Sequence, residues 1–369
     1  MLRVIFLIVC FLQTVPVVAQ VRTEIKIPDI LGYKTLKCDF HIHTVFSDGD
    51  VWPTTRVQEA WEDGLDVIAI TDNIDYRPYL QDISASHNRP FEIAEPLSNR
   101  LGITLIRGVE IARGMPPGNL NIIFLKNANL LEREFWWDAC IEAQTQDALV
   151  FWSHAGEEGQ HPDGVKWWPE HTNMTNAGIL KGIEAFNFKS FYNESLKWAL
   201  DNNLAILANS NIHAPASASY RDSRRPVTLV FATDKKEESI KKAMSEKRTA
   251  AFFGDTIIGD SRFLIPIFMN SIKVENYQGN LTNRSIKSVM IQNSSDITFY
   301  LRKRQPSVGF SSDDEIVLPA QKTVIIDLEG TADEVSRMPV LRLFCEVKNM
   351  ITLKNEPVPV NIDIPNRTR

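Results

Sequence analysis

Through the first two-thirds of the chain, short apolar runs take turns with segments of helical period. The runs at residues 36–40, 67–71, 104–106, 121–125, 148–152, 182–186, 205–208 and 227–231 mostly lack the in–out alternation of a half-exposed strand. Strands covered on both faces read this way. Residues 56–63 place Val57, Ala60 and Trp61 at helical spacing, with Gly64 as the stop, and residues 132–144 do the same with Phe135, Trp136, Ala139, Cys140 and Ala143. Asn193 is expected to cap a helix carrying Leu196, Ala199 and Leu200, and Asp234 with Glu237 resembles a capping box before Ile240, Ala243 and Met244. Repeated strand–helix units predict a parallel α/β barrel or a doubly wound sheet.

The texture changes near Asn270. Residues 289–291, 297–301, 315–318, 323–328, 341–347 and 358–364 form short strand-like runs between turns, with no helical pattern among them. They predict an antiparallel β-sandwich of about a hundred residues. This part holds no cluster of His, Asp and Glu, so it is expected to serve as an accessory domain over 269–369, following a barrel over 20–268.

Composition narrows the picture. The 369 residues carry a formal charge of −6, which gives no broad basic field for nucleic acid. Residues 1–19 have the form of a signal peptide: Arg3, an apolar run from Val4 to Leu12, and Val17-Val18-Ala19 before Gln20. That run is short for a membrane span, so export to a periplasm or the exterior is expected, with no stable membrane anchor after cleavage. Beyond it, Cys38, Cys140 and Cys345 are widely spaced and offer no disulfide framework.

The candidate chemistry lies where the predicted strands end. His41 and His43 close the first strand, two apart and therefore on one side of it, and Asp48 follows on a Ser-Asp-Gly turn. Asp72 and Asn73 follow the second strand, Glu110 the third, His154 the fifth, and Asn211 with His213 the seventh. In a parallel barrel these ends share one face, where active sites sit. Four of the seven histidines fall there, with a glutamate among them, and imidazole with carboxylate suits a divalent metal.

This ordered set resembles the polymerase-and-histidinol-phosphatase (PHP) family: His41-Ile-His43 with Ser47-Asp48-Gly49, Ile70-Thr71-Asp72-Asn73, Gly108-Val109-Glu110, Ser153-His154-Ala155-Gly156 and Ser210-Asn211-Ile212-His213. Val51-Trp52-Pro53-Thr54, Met115-Pro116-Pro117-Gly118 and the run from Lys166 to His171 look like its secreted phosphodiesterase branch. The resemblance implies a distorted (β/α)7 TIM-like barrel, up to three divalent ions of Zn, Mn or Fe type, and a metal-bound hydroxide attacking the phosphorus of a small phosphate ester. Carried onto this chain, His41, His43 and Glu110 would serve one ion. Glu110 and His154 would serve a second, and Asp48 and His213 a third. Asp48 and Asp72 are the acids expected to assist catalysis.

Three positions depart from the family's pattern. Asn73 and Asn119 stand where the family usually has His, and Asn211 where it usually has Asp. An amide oxygen is uncharged and a weaker ligand for zinc-like ions, so fewer or weaker ions are expected. The alternative is therefore a non-catalytic or metal-poor relative, whose site binds a ligand or nothing. An amidohydrolase is a further alternative, but no Lys stands at a matching strand end to bridge metals. Arg224 and Arg225 are candidate phosphate-binding residues, through bidentate contacts. Arg248 is a further such cation, and Trp52, Trp167 and Trp168 are candidate pocket walls.

Overall fold

The computed structural model describes residues 21–161, 163–275 and 279–366. The expected signal peptide, 1–19, lies outside them.

Each of the eight apolar runs of the first part becomes a strand. The chain runs through β1 (Lys34–Ile42), α1 (Pro53–Glu62), β2 (Val67–Ile70), α2 (Arg89–Leu101), β3 (Thr104–Ile111), β4 (Leu120–Ile123), α3 (Trp136–Thr145) and β5 (Leu149–Trp152). It continues through α4 (Pro169–Asn176), β6 (Leu180–Asn187), β7 (Ser190–Phe191), α5 (Glu194–Asp201), β8 (Ala205–Asn209), α6 (Ala216–Ser219), β9 (Val227–Ala232) and α7 (Glu237–Ser245). The spatial order β1-β2-β3-β4-β5-β6-β8 curls into a barrel-like sheet. Leu36, Phe40, Ala69, Ile106, Phe151 and Leu207 belong to one buried cluster that runs across these strands.

Two features correct the expectation of a parallel barrel. First, β4 pairs antiparallel with both β3 and β5. Only residues 112–119 separate it from β3, whereas a parallel return needs roughly a dozen residues or more. Second, the sheet is not closed. Among the described residues a single bridge, Ile42 to Ile212, joins β1 to the segment just after β8, with the His43 amide donating to the Ile212 carbonyl at 3.1 Å. Buried Arg56 of α1 reinforces this seam. Its guanidinium donates to the carbonyls of His43 (2.8 Å), Ile212 (3.1 Å), Ala214 (3.0 Å) and His213. One side chain thus ties the loop after β1 to the loop after β8, and both loops carry candidate ligands.

Two expected caps are also corrected. Asn193 makes no cap bond, and its amide oxygen instead accepts from Asn355 of the C-terminal part at 3.0 Å. Asp234 lies two residues before the N-cap of α7, Lys236, and accepts from the Lys236 amide at 2.9 Å.

β9 pairs antiparallel with β1 and leads into the hairpin β10 (Thr249–Phe253) and β11 (Thr256–Gly259). After α8 (Ser261–Ser271), the strands β12 (Ile272–Glu275), β13 (Ile286–Asn293), β14 (Phe299–Lys303), β15 (Phe310–Ser311), β16 (Glu315–Leu318), β17 (Thr323–Gly330), β18 (Val340–Thr352) and β19 (Pro357–Pro365) follow. The order β12-β13-β17-β15 is a separate antiparallel sheet, while β16, β14 and β19 gather on β18. Burial alternates along β13 and β19, as it should where one face is covered and one is solvated. β18 also pairs in parallel with β11, so the C-terminal part is joined to the barrel by a backbone ladder. Cys38, Cys140 and Cys345 are free thiols, buried in the core. Among the described residues no helix is long and apolar enough to cross a membrane.

Candidate metal centre

The strand ends bring the expected ligands together. His41 is the penultimate residue of β1 and His43 lies just beyond it, with ring centres 5.1 Å apart. Glu110 reaches in from β3, with Oε1 3.2 Å from His41 Nε2 and Oε2 3.8 Å from His43 Nε2. The three side chains are essentially removed from solvent, at 0%, 1% and 4% exposure. His41, His43 and Glu110 each offer one atom to a common point, as do His43, Asp48 and His213.

The proton positions decide what these groups can hold. His41 Nδ1 faces the carboxylate of Glu184 at 3.0 Å. A neutral His41 therefore keeps its hydrogen on Nδ1 and aims the Nε2 lone pair at Glu110 and at His43 Nε2, 3.1 Å away. His213 repeats the pattern. Its Nδ1–H donates to the Asn211 carbonyl at 2.9 Å, leaving Nε2 aimed at Asp48 Oδ2 at 3.3 Å. Lone pairs that face carboxylates at these distances repel unless a cation lies between them. Either a proton or a divalent ion satisfies both places, and carboxylate-oriented imidazole is the common way to hold the latter. The proton's hold is visible in the ionisation. Burial works against charge on His41, yet the carboxylates of Glu184 and Glu110 overcome it and raise its pKa to about 10. Glu110, disfavoured by the same burial, is pulled down to about 2 by His41 and its neighbours. Asp48 lies well below the usual carboxylate range, because His213 and His43 outweigh its partial burial.

His43 belongs to both triads. Its Nδ1 lies 3.1 Å from Asp48 Oδ1, and its Nε2 faces the buried triad. A neutral imidazole has one lone pair to give. With Nδ1–H donated to Asp48, the buried triad is complete, and the outer place keeps Asp48 and His213. Gly49 fixes this turn: a Cβ there would come within 2.6 Å of the His43 carbonyl carbon.

The remaining acids and amides have other partners. Asp72 accepts from the Thr44 amide and hydroxyl, both at 2.6 Å, and from the Ser47 hydroxyl at 2.7 Å. It anchors the loop that carries His43 and Asp48. The Asn73 amide oxygen accepts from the Asp75 amide at 2.9 Å. The Asn119 oxygen is taken by the Arg113 amide, and its NH2 points to Glu110 Oε1, each at 3.3 Å. The Asn211 NH2 donates to Asn187 Oδ1 at 3.2 Å and to His154 Nε2 at 3.3 Å. His154 Nδ1 in turn faces Glu157 at 3.0 Å. Glu110 and His154 stand 3.8 Å apart, but amide hydrogens already occupy the acceptors between them. The residues present fit an ion at the buried triad and, less fully, at Asp48 with His213. They fit one poorly between Glu110 and His154.

Glu184 was not singled out in the sequence. It is fully buried on β6 and gathers His41 Nδ1, Asn209 Nδ2 (2.9 Å), Asn187 Nδ2 (2.6 Å) and the His154 amide (3.1 Å). Its signal was a lone acid inside Gly182-Ile183-Glu184-Ala185-Phe186, a run expected to be covered on both faces.

The cations expected to bind phosphate are engaged elsewhere. Arg224 pairs with Asp296 of the C-terminal part at 3.0 Å. Arg225 is buried between Asp39 and Asp63. Both line a cavity of about 760 Å³ beside α1 and α6 that includes none of the candidate ligands. Arg248 packs over the Tyr33 ring, 4.3 Å from its centre. Of the three tryptophans, Trp167 packs against Trp152 and Trp198, Trp52 stands half-exposed against Phe46, and Lys166 lies over Trp168.

A mixed β/α, barrel-like sheet with histidines and carboxylates at its strand ends is an architecture suited to holding a metal ion. Comparison makes this more specific. A two-domain protein from Bacteroides vulgatus, containing a predicted PHP-like metal-dependent phosphoesterase, shares 38% identity with this chain, at a TM-score of 0.88 over 94% of this chain and 100% of that one. The chain belongs to that PHP-like family. Residues 271–363 match the family of Ig-like domains. Two other solved structures are far more distant. A candidate metal-dependent phosphoesterase from Bifidobacterium adolescentis is 15% identical, covering 48% of this chain and 88% of that one, at a TM-score of 0.37. An amidohydrolase from Chromobacterium violaceum, with bound sulfate and no metal, is 14% identical, covering 49% and 88%, at a TM-score of 0.35. At those scores neither bears on this chain's function. No curated protein matches it.

Proposed function

We propose that this protein is an exported, metal-dependent phosphoesterase that hydrolyses small phosphodiesters. The observation that carries the proposal is the buried triad, in which the Glu184–His41 contact leaves the Nε2 lone pair facing Glu110. A divalent ion held there supplies Lewis acidity toward phosphoryl oxygen and lowers the pKa of water. The protein's own groups do the rest. His41, His43 and Glu110 hold a fixed geometry, and the buried floor limits access of bulk water. Asp48 keeps a negative charge beside His213 at the half-exposed rim. Hydrolysis joins a water oxygen to phosphorus and breaks one ester P–O bond, and the departing oxygen takes up a proton. Where no ion occupies the outer place, His213 Nε2, at the half-exposed rim beside Asp48, is one group placed to deliver it. Export rests on the form of residues 1–19, and diester preference on the motif resemblance around Trp52, Pro116 and Trp168.

The test is elemental analysis of the purified chain together with bis(p-nitrophenyl) phosphate hydrolysis after loading with Zn, Mn or Fe(II). Bound metal and metal-dependent release of p-nitrophenolate are expected. A fully loaded chain that cleaves neither this diester nor p-nitrophenyl phosphate would refute the proposal. A second possibility, a metal-poor binding protein, is favoured by the amide hydrogens of Asn119 and Asn211 directed at Glu110 and His154. It predicts no tightly held ion.

A further inference from the structure

A cavity of about 370 Å³ borders the centre at His154 and His213, within the roughly 300–1,000 Å³ usual for small-molecule sites. His154, Glu157, Asn211 and His213 give it a polar lining, and Phe188 and Tyr192 contribute its aromatic lining. Phe188 shares a left-handed backbone with His154 (φ 55°) and Asn211 (φ 46°) on the same cavity. It is 41% exposed, and its own φ is 52°. A bulky side chain rarely occupies that conformation, and such strain persists where the surroundings over-determine it.

The surroundings here are built to do so. Phe188 and Lys189 form the turn between β6 and β7, closed by pairing of Asn187 with Ser190. The Phe188 amide donates to the Asn209 carbonyl at 3.2 Å. Asn187 is held by Glu184, the same carboxylate that orients His41. The ring itself meets Tyr220 edge-on at 5.7 Å, and the Lys189 ammonium lies 5.3 Å from its centre. Among the described residues Lys189 has no carboxylate partner, so its contact with these rings is the one the fold provides. A residue that would turn more easily as glycine is instead a pinned, exposed aromatic facing the cavity.

We propose that this cavity is the subsite for one organic arm of the ester, that the arm carries a flat apolar ring, and that Phe188 determines this preference. The inference rests on the phosphoesterase proposal above, because it places the phosphoryl group at the centre and the arm against Phe188.

Binding of two inert phosphonates to the metal-loaded full-length chain, followed by calorimetry, separates the two ideas. Phenylphosphonate should bind roughly tenfold more tightly than methylphosphonate, the scale of one ring packing on another. Phe188→Gly, which suits the left-handed turn, should abolish that preference and leave methylphosphonate affinity unchanged. Phe188→Tyr should retain it. Equal affinities in the parent, or a preference that survives Phe188→Gly, overturns the subsite while leaving the phosphoesterase proposal standing. Binding of neither phosphonate overturns both.

Discussion

Strand β5 ends in Trp152, and two residues later the chain reaches His154; the two begin opposite kinds of environment. On the Trp152 side, His171 stacks on the indole with ring centres 3.7 Å apart, and Trp198 stacks at 5.1 Å. His171 donates to the Pro117 carbonyl at 2.7 Å and accepts from the Trp168 amide at 3.3 Å. Both nitrogens are satisfied with the ring neutral, and burial pushes its pKa down to about 4. On the other side, His41 is equally buried but faces two carboxylates, and its pKa rises to about 10. Burial alone disfavours charge on both rings. The partners decide which imidazole is a structural wedge and which one awaits a cation.

If the two regions are separable, the largest effect falls on stability. Trp152→Ala removes a fully buried indole and should cost about 3–5 kcal/mol in denaturant unfolding. Ion affinity measured below the melting range should stay near the parent's. A parallel collapse of ion binding would show that the aromatic wedge also positions the centre. Next in size, Glu110→Gln should lower divalent-ion affinity by at least ~100-fold, and Glu184→Gln by about 10–100-fold, because the first removes a ligand and the second the acceptor that orients one. Both are read by competition with a chelating dye, and neither should alter Trp fluorescence from the aromatic cluster.

The sequence showed one side of this contrast better than the other. His41, His43, Asp48, Glu110, His154 and His213 were legible because strand ends in such a sheet share a face. Asn119 differs from the other candidates in preceding its strand. The reversal of β4 explains it, and the eight-residue connection from β3 was the available sign. Glu184 was hidden because a pattern of apolar runs treats a lone acid as noise, while three of its four donors, from His41, His154 and Asn209, come from other strand ends. The proton geometry was not legible at all. Whether Asn211 offers oxygen or hydrogen to His154 depends on Asn187, and that in turn on Glu184.

A pH series sharpens the comparison, because the two histidines act with opposite sign. His171 is depressed in the fold, so its contribution is present above the unfolded value of 6.5 and is lost as pH falls toward about 4. His41 is raised, so in the chelated protein its contribution is present below 6.5 and is lost as pH rises toward about 10. Unfolding free energy of the chelated chain should therefore peak between these limbs. His171→Phe should flatten the acid limb. Zn should flatten the alkaline limb by taking the proton's place on His41 Nε2. An alkaline limb unchanged by Zn would mean that no ion reaches the buried triad.

The smallest expected effect extends the same rule to cations. Arg224 was a candidate for holding phosphate, yet its guanidinium already has Asp296, which also accepts from the Lys26 amide at 3.0 Å. The Arg224 side chain remains 41% exposed, so water screens the pair and its loss should cost only about 0–1 kcal/mol. It lines the cavity by α1 rather than the one that opens on His154 and His213. Arg224→Ala should therefore leave kcat/KM for a chromogenic diester within about twofold of the parent, as distant surface changes usually do. A selective rise in KM would mean that Arg224 abandons Asp296 for substrate, and that a partner seen in the resting fold does not fix a cation's role as firmly as Glu184 fixes that of His41.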